Sequence, residues 1–333
     1  MKKTLFVLAC CLIPHLAQAA EDSKYVEIWA PGLGDDHSGW KDVNKVMTKD
    51  EITGDSQLCW AAAASNVISW WQDQNASYLA GSKAGIPQGE NEIFAAFNKA
   101  FKNSGFDGYW GLRWFMDGAS EMLDQEWGYG YTVADLYMDP NPDNRPGGFY
   151  NGIVADIVST MDGGSQVITD DYGVLVLDVV GIDVFTNQLV DAITSGAVTL
   201  GMTGADGTPD VFGHAITLWG IKLNTETGYI ESMWVTDSDD LVTHGEDLGL
   251  FELICTPTTK QQYLDGGYQD YEVYAIEDTL TENRWYAGKD GYNEYIDSFG
   301  FLKANVQWSV PEPATGTLSL LALAGLAARR RRK

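Results

Sequence analysis

The sequence predicts an α+β fold in which N-terminal helices pack on a mostly antiparallel sheet. Apolar side chains recur at helical spacing between residues 57 and 102. Beyond residue 196, short β-branched runs bounded by turn residues dominate instead. Helices first and strands afterwards is the order typical of α+β proteins, and 333 residues suffice for one large domain.

Three segments are predicted to be helical. Residues 57–74 and 91–102 carry small or aromatic apolar side chains at helical spacing. A third helix contains Phe185 and Ile193 and is ended by Gly196.

Two further segments connect these elements. Residues 105–118 are rich in aromatic residues, which indicates either a short helix over the core or part of a substrate groove. The core interpretation is favoured. Residues 139–148 form a cluster of turn residues, which predicts a loop between two lobes of one domain.

Five runs are predicted to be strands because β-branched and aromatic residues are enriched in them. They are residues 174–180, 197–202, 214–221, 230–236 and 271–276.

The two ends of the chain read as targeting segments around a domain at residues 20–305. Residues 1–19 have the charged start, short apolar core and Ala17-Gln-Ala19 site of a secretory signal peptide. Residues 306–333 contain Pro311-Glu-Pro313, a short apolar segment and a basic tail. The apolar segment is short for a bilayer span, so it predicts transient membrane contact. A plain membrane anchor is the alternative.

Composition excludes some classes of partner. The chain has 47 acidic and 21 basic residues and a formal net charge of −26. Such a surface repels nucleic acid and anionic lipid headgroups. Only Cys59 and Cys255 lie outside the signal peptide, so the chain is not a disulfide scaffold. A bond between those two would occupy the thiol that is best placed for chemistry.

That thiol belongs to Cys59, which opens the first predicted helix. A helix N-terminus has unpaired backbone N–H groups and a positive dipole end, and both favour the thiolate. Gly54, Asp55 and Ser56, just upstream, are predicted to supply turn and N-cap chemistry. A buried structural cysteine is the alternative interpretation.

A nucleophilic thiol needs a base, and His214 is the best placed histidine. It opens a predicted strand, whereas His37 and His244 lie in loop-like segments. If residues 214–221 and 230–236 pair as a hairpin, Asp237 or Asp239 lies beside His214, where a carboxylate would orient the imidazole. A satisfied core histidine is the alternative.

Two acidic runs in the sequence are candidates for calcium binding. Two runs combine several oxygen-bearing side chains, namely Asp139, Asn141, Asp143 and Asn144, and Asp237, Asp239 and Asp240. Neither has the spacing and glycine of an EF-hand loop, so solvated turns are favoured. The sequence predicts no metal site and no cofactor.

Four segments, in order, resemble the IdeS/Mac-type cysteine endopeptidases, the immunoglobulin-degrading enzymes. They are Gly39-Trp-Lys-Asp-Val-Asn-Lys45, Asp55-Ser-Gln-Leu-Cys59-Trp-Ala-Ala-Ala-Ala-Ser-Asn66, Gly213-His-Ala-Ile-Thr-Leu-Trp-Gly220 and Trp234-Val-Thr-Asp237-Ser-Asp239.

The resemblance implies a papain-like cysteine protease fold and a role for each matched residue. Cys59 becomes the nucleophile and His214 the general base, then acid. Asp237 orients His214, and Asp239 is a supporting carboxylate. Lys45 and the Cys59 backbone N–H stabilise the oxyanion.

Two departures from the family pattern concern Lys49 and Trp60. The gap from Lys45 to Cys59 is longer than in the type members, which makes Lys49 a rival for the oxyanion role. Trp60 stands where the type members carry a small residue. In this respect the chain is like papain-like sites in which a tryptophan follows the cysteine.

The C-terminal segment resembles the PEP-CTERM sorting signal of Gram-negative bacteria. That resemblance implies export, processing by an exosortase-type enzyme near Pro311-Glu-Pro313, and a location in the cell envelope, at the outer surface or in the extracellular matrix.

The sequence therefore predicts an exported thiol protease acting on a protein or peptide substrate. Two alternatives stay open. One is a non-catalytic envelope or matrix binding protein on the same fold, and the other is an acyl transferase of transglutaminase type.

Overall fold

The computed structural model shows a mixed fold of helices and a closed antiparallel barrel. It describes residues 24–50, 52–79, 85–118, 126–127, 131–139, 141, 146–154, 161–165, 180–205, 213–240, 247–264, 267–278 and 293–304.

Five helices lie within the described residues. They are α1 (Cys59–Gln74), α2 (Ala76–Leu79), α3 (Gly89–Ala100), α4 (Gly108–Asp117) and α5 (Ile182–Ser195). A 3₁₀ turn covers Val133–Leu136.

Ten strands are described. They are β1 (Tyr25–Trp29), β2 (Glu126–Trp127), β3 (Tyr131–Thr132), β4 (Met161–Ser165), β5 (Gly196–Ala205), β6 (Gly213–Asn224), β7 (Ile230–Thr236), β8 (Phe251–Leu264), β9 (Gly267–Asp278) and β10 (Asn293–Lys303).

Six of these strands close the barrel in the order β5-β6-β7-β8-β9-β10, and β10 pairs again with β5. Every one of these pairings is antiparallel. Strand β1 extends the sheet along the second half of β6, and β4 pairs with β10. Strands β2 and β3 form a separate small hairpin.

Helix α1 lies at the centre of the molecule. Its residues from Cys59 to Gln72 are all buried, and it packs between α3, α4 and the barrel strands β5 and β6. The small side chains of its alanine run let α4 come close. A Cβ on Gly111 of α4 would lie 2.8 Å from the Cβ of Ala64, so only glycine fits there.

The three predicted helices are confirmed, with ends within two residues of the prediction for the first two. Residues 105–118 form α4, whose Trp114 and Phe115 are buried, which confirms the core interpretation. The described part of residues 139–148 is in no helix or strand.

Four predicted strands are confirmed as parts of β5, β6, β7 and β9. The predicted strand at residues 174–180 lies outside the described residues, except for Val180. The sequence patterns missed six of the described strands, namely β1, β2, β3, β4, β8 and β10. Strands β8 and β10 are the two of them that complete the barrel.

Both targeting segments also lie outside the described residues. Within the described ranges, no helix is both long enough and apolar enough to span a bilayer.

Candidate active site

Cys59 is the first residue of α1, at the end of the helix that faces β6. The turn before it is fixed by Asp55, whose carboxylate accepts hydrogen bonds from the backbone N–H groups of Val46 and Thr48, each at 2.7 Å. The N-cap residue is Leu58, and no side chain caps the helix. The prediction that Asp55 or Ser56 caps α1 is therefore wrong, because Asp55 binds the preceding segment instead.

His214 reaches Cys59 from the second residue of β6. The predicted hairpin of β6 and β7 is confirmed, and it brings Asp237, just after β7, beside the imidazole. His214 Nε2 lies 2.8 Å from Asp237 Oδ1, and the imidazole also forms a hydrogen bond with the Cys59 thiol. Because Asp237 engages Nε2, Nδ1 is the ring nitrogen left for sulfur.

The three hydrogen-bonded residues differ in their exposure to solvent. Cys59 and His214 are each 8% exposed, whereas Asp237 is completely buried. The thiol–imidazole end is thus the end that a substrate can reach, and the carboxylate lies behind it.

The electrostatics favour a thiolate–imidazolium pair. Burial alone would raise the pKa of the Cys59 thiol, but the hydrogen bond and charge of His214 and the charge of Lys45 lower it overall. Burial would lower the pKa of His214, yet the Asp237 carboxylate and the Cys59 thiolate raise it well above its ordinary value. The two pKa shifts belong to one coupled pair, and both favour the charged forms.

Lys45 and Asp239 form a second ion pair next to the first. Lys45 Nζ lies 2.8 Å from Asp239 Oδ1 and donates to the Ser56 carbonyl at 2.9 Å. Asp239 Oδ2 is 4.0 Å from His214 Nδ1. An ammonium carries three donors, so Lys45 keeps one N–H without an acceptor among the described residues.

Backbone and side-chain bonds hold the segment of Lys45 in place. Lys45 N–H donates to the Ser238 carbonyl at 2.9 Å. The Asn66 amide accepts from Val43 N–H at 3.0 Å and donates to Thr217 Oγ1 at 3.1 Å. Sequence reasoning gave Asn66 and Thr217 no role. The available signal was Asn66 itself, a polar residue on the buried face of an apolar helix.

The other residues that the sequence analysis considered for the active site are not part of this cluster of side chains. Lys49 is exposed. Trp60 is completely buried and points into the core, where its indole N–H donates to the Ser104 carbonyl at 2.9 Å. His37 stacks on Trp29 with ring centroids 3.8 Å apart. His244 lies outside the described residues.

Cys255 is a buried free thiol on β8, and Cys59 is free as well. Burial raises the pKa of the Cys255 thiol, which makes it a poor nucleophile.

The site residues themselves are a poor place for a metal ion. One ligand atom each from His214, Asp237 and Asp239 lies within 4.8 Å of the others. The ligand atoms are already engaged within the protein, since Asp237 pairs with His214 and Asp239 pairs with Lys45.

The two acidic runs have separate outcomes. Asp139 accepts from Asn141 N–H at 2.9 Å as in a turn, and Asp143 and Asn144 lie outside the described residues. In the second run Asp240 accepts from Leu248 N–H at 2.7 Å.

This arrangement suits nucleophilic acyl chemistry. It combines an activated thiolate, an imidazolium that can deliver a proton, a carboxylate that fixes the imidazole, and a cationic donor beside the sulfur.

Comparison with known proteins supports the resemblance drawn from the motifs. Residues 14–96, which include Lys45 and Cys59, match the family model described as Mac 1. Residues 309–333 match the PEP-CTERM protein-sorting motif, which indicates export to the cell envelope of a Gram-negative bacterium. Both resemblances are thereby confirmed.

One curated relative is an IgM protease of Streptococcus suis (strain P1/7). It is 27% identical over 286 residues, which cover 80% of this chain. The matched region covers 23% of the relative, so this chain corresponds to about a quarter of that protein.

Proposed function

We propose that this protein is an exported cysteine endopeptidase with Cys59 as its nucleophile. The observation that carries the proposal is the hydrogen-bonded series Cys59–His214–Asp237, with both pKa shifts favouring the ion pair. A binding module would have no need of an activated thiolate. We further propose that the helices and the barrel correspond to the two lobes of a papain-like fold.

The reaction follows from the positions of these groups. The Cys59 thiolate attacks the carbonyl carbon of the scissile bond, and the oxyanion binds the remaining Lys45 N–H and the Cys59 backbone N–H. His214 Nδ1 then gives its proton to the leaving amine, which yields a thioester. In the second half, His214 takes a proton from water, hydroxide attacks the thioester, and the thiolate returns.

We propose a protein substrate without assigning immunoglobulin to it. The name of the streptococcal relative refers to IgM, but most of that protein has no counterpart in this chain. A proteome-derived peptide library, analysed by mass spectrometry, tests the reaction. New termini formed by addition of water support hydrolysis, whereas products carrying an added amine would assign acyl transfer instead.

Lys45→Met is expected to lower kcat by about 10²–10³-fold, the effect of removing one oxyanion donor. Methionine keeps the buried volume but cannot donate a hydrogen bond. Turnover of a library-derived peptide measures the loss, with circular dichroism to confirm folding. Lys49→Met is the matched control and should keep full activity. The reverse pattern would transfer the oxyanion role to Lys49.

The domain boundaries are part of the proposal: a signal peptide at 1–19, a peptidase domain at 20–305 and a sorting segment at 306–333. Residues after about Pro313 are expected to be absent from the mature protein, because the apolar run is too short for a lasting anchor. Intact-mass measurement on protein from its native envelope decides this. A mass that includes Arg329–Lys333 would mean a permanent anchor and would contradict sorting.

A further inference from the structure

Three carboxylates from separate segments converge behind the candidate active site. Asp42 comes from the segment that carries Lys45, Asp240 from the turn after β7, and Asp247 from the approach to β8. One oxygen atom of each lies within 4.8 Å of the others. Like charges at this distance repel strongly, so the cluster needs something to compensate them.

Asp240 and Asp247 accept backbone N–H groups, from Leu248 at 2.7 Å and from Gly249 at 3.2 Å. Asp42 has no such compensation. Both carboxylate oxygens of Asp42 are buried and have no hydrogen-bond partner. No described Lys, Arg or His forms an ion pair with Asp42 or Asp247. A buried carboxylate without donors is costly, which sets this residue apart from a solvated acidic turn.

Asn44 contacts the cluster through Asp247. Its amide nitrogen donates to Asp247 Oδ2 at 3.0 Å, while its Oδ1 atom is buried and has no hydrogen-bond partner. Carboxylate oxygens without a nitrogen or sulfur ligand are the donor set of hard divalent cations. Calcium tolerates irregular loop geometry better than magnesium does.

We propose that Asp42, Asp240 and Asp247 bind a calcium ion. The ion would join the segment before Lys45, the turn that follows β7 and the start of the β8 segment. Lys45 N–H and the Ser238 carbonyl already connect the first two of these segments. The proposal does not depend on the proposed function, because binding is measured without any turnover.

Melting temperature gives the first test on the full-length protein. Addition of 10 mM CaCl₂ to chelator-treated protein is expected to raise Tm by roughly 3–5 °C, for a site at the weak, extracellular end of calcium affinities. Sodium chloride at matched ionic strength should give a clearly smaller rise, which separates binding from screening. Isothermal titration with CaCl₂ should show about one ion per chain.

Variants identify the site. Asp42→Asn and Asp247→Asn are expected to fold, since each removes repulsion, and to lose the calcium-dependent rise in Tm. Asp191→Asn, an exposed acid on α5, is the matched control and should keep the rise.

A shared proton is the competing explanation for the cluster, because burial and the neighbouring carboxylates raise the pKa of Asp42 to about 8. In that case Tm would not respond to calcium in the wild-type protein. That result, or an equal calcium response in Asp42→Asn, Asp247→Asn and the wild type, would overturn the proposal.

Discussion

Replacing Cys59 with alanine is expected to abolish peptide hydrolysis, with a loss in kcat on the order of 10⁶-fold, comparable to removing the nucleophile of a serine protease. The sulfur atom is the only activated nucleophile among the candidates, since the Cys255 thiol is buried with a raised pKa. A thiol-to-methyl change at the start of α1 removes little packing. Mass spectrometry of the peptide library measures the loss, and circular dichroism checks the fold.

Cys255→Ala is the matched control for this experiment. It removes the other thiol of the domain and should leave turnover unchanged. Retained hydrolysis in purified Cys59→Ala would instead point to a non-catalytic binding role, with any cleavage due to a contaminant or another site.

Asp237→Asn is expected to lower kcat on the order of 10⁴-fold, as loss of the orienting carboxylate does in a serine protease triad. The amide has the same shape but carries no charge, so it no longer stabilises the imidazolium or fixes its tautomer. Steady-state kinetics across pH measure both effects on one peptide substrate.

The pH profile separates this role from a merely structural one. Activity needs the thiolate and the imidazolium together, so the acid limb reports the lowered pKa of Cys59 and the alkaline limb the raised pKa of His214. Loss of the Asp237 charge lowers the His214 pKa, so the alkaline limb should move to lower pH. An unchanged profile with unchanged kcat would contradict the assignment, and Asp191→Asn serves as the control.

The central helix and the site-bearing hairpin were predictable because their residues carry strong local patterns. The alanine and tryptophan run of α1 has helical spacing throughout, and β6 and β7 are short runs rich in β-branched and aromatic residues. Once those two strands pair, Asp237 or Asp239 returns to His214, and the family resemblance singles out Asp237. Cys59 and His214 thus followed from short-range patterns, and one hairpin reduced the choice of carboxylate to Asp237 or Asp239.

The closed barrel could not be predicted because its closure depends on polar and irregular strands. Strand β8 contains Pro257 and a run of threonine, lysine and glutamine, and β10 is interrupted by a bulge between Ile296 and Ser298. Neither has a clean period of two, so both were left unassigned. Their partners, not their own sequences, make them strands.

Contacts between distant segments could not be predicted from local sequence patterns either. Asn66 and Thr217 hold the segment of Lys45 only because α1 packs on β6. Asp42 meets Asp240 and Asp247 across most of the domain, so only one of the three belonged to an acidic run in the sequence. Such convergence depends on tertiary packing.

The central claim is that Cys59 is an activated thiolate paired with His214. Intact-mass measurement after incubation with a thiol-directed epoxide at pH 6 tests it most directly, since an ordinary thiol is almost fully protonated there. We expect one adduct on the wild-type protein and on Cys255→Ala, and none on Cys59→Ala or His214→Ala. An unlabelled wild-type protein, or an adduct that persists in Cys59→Ala, would contradict the claim.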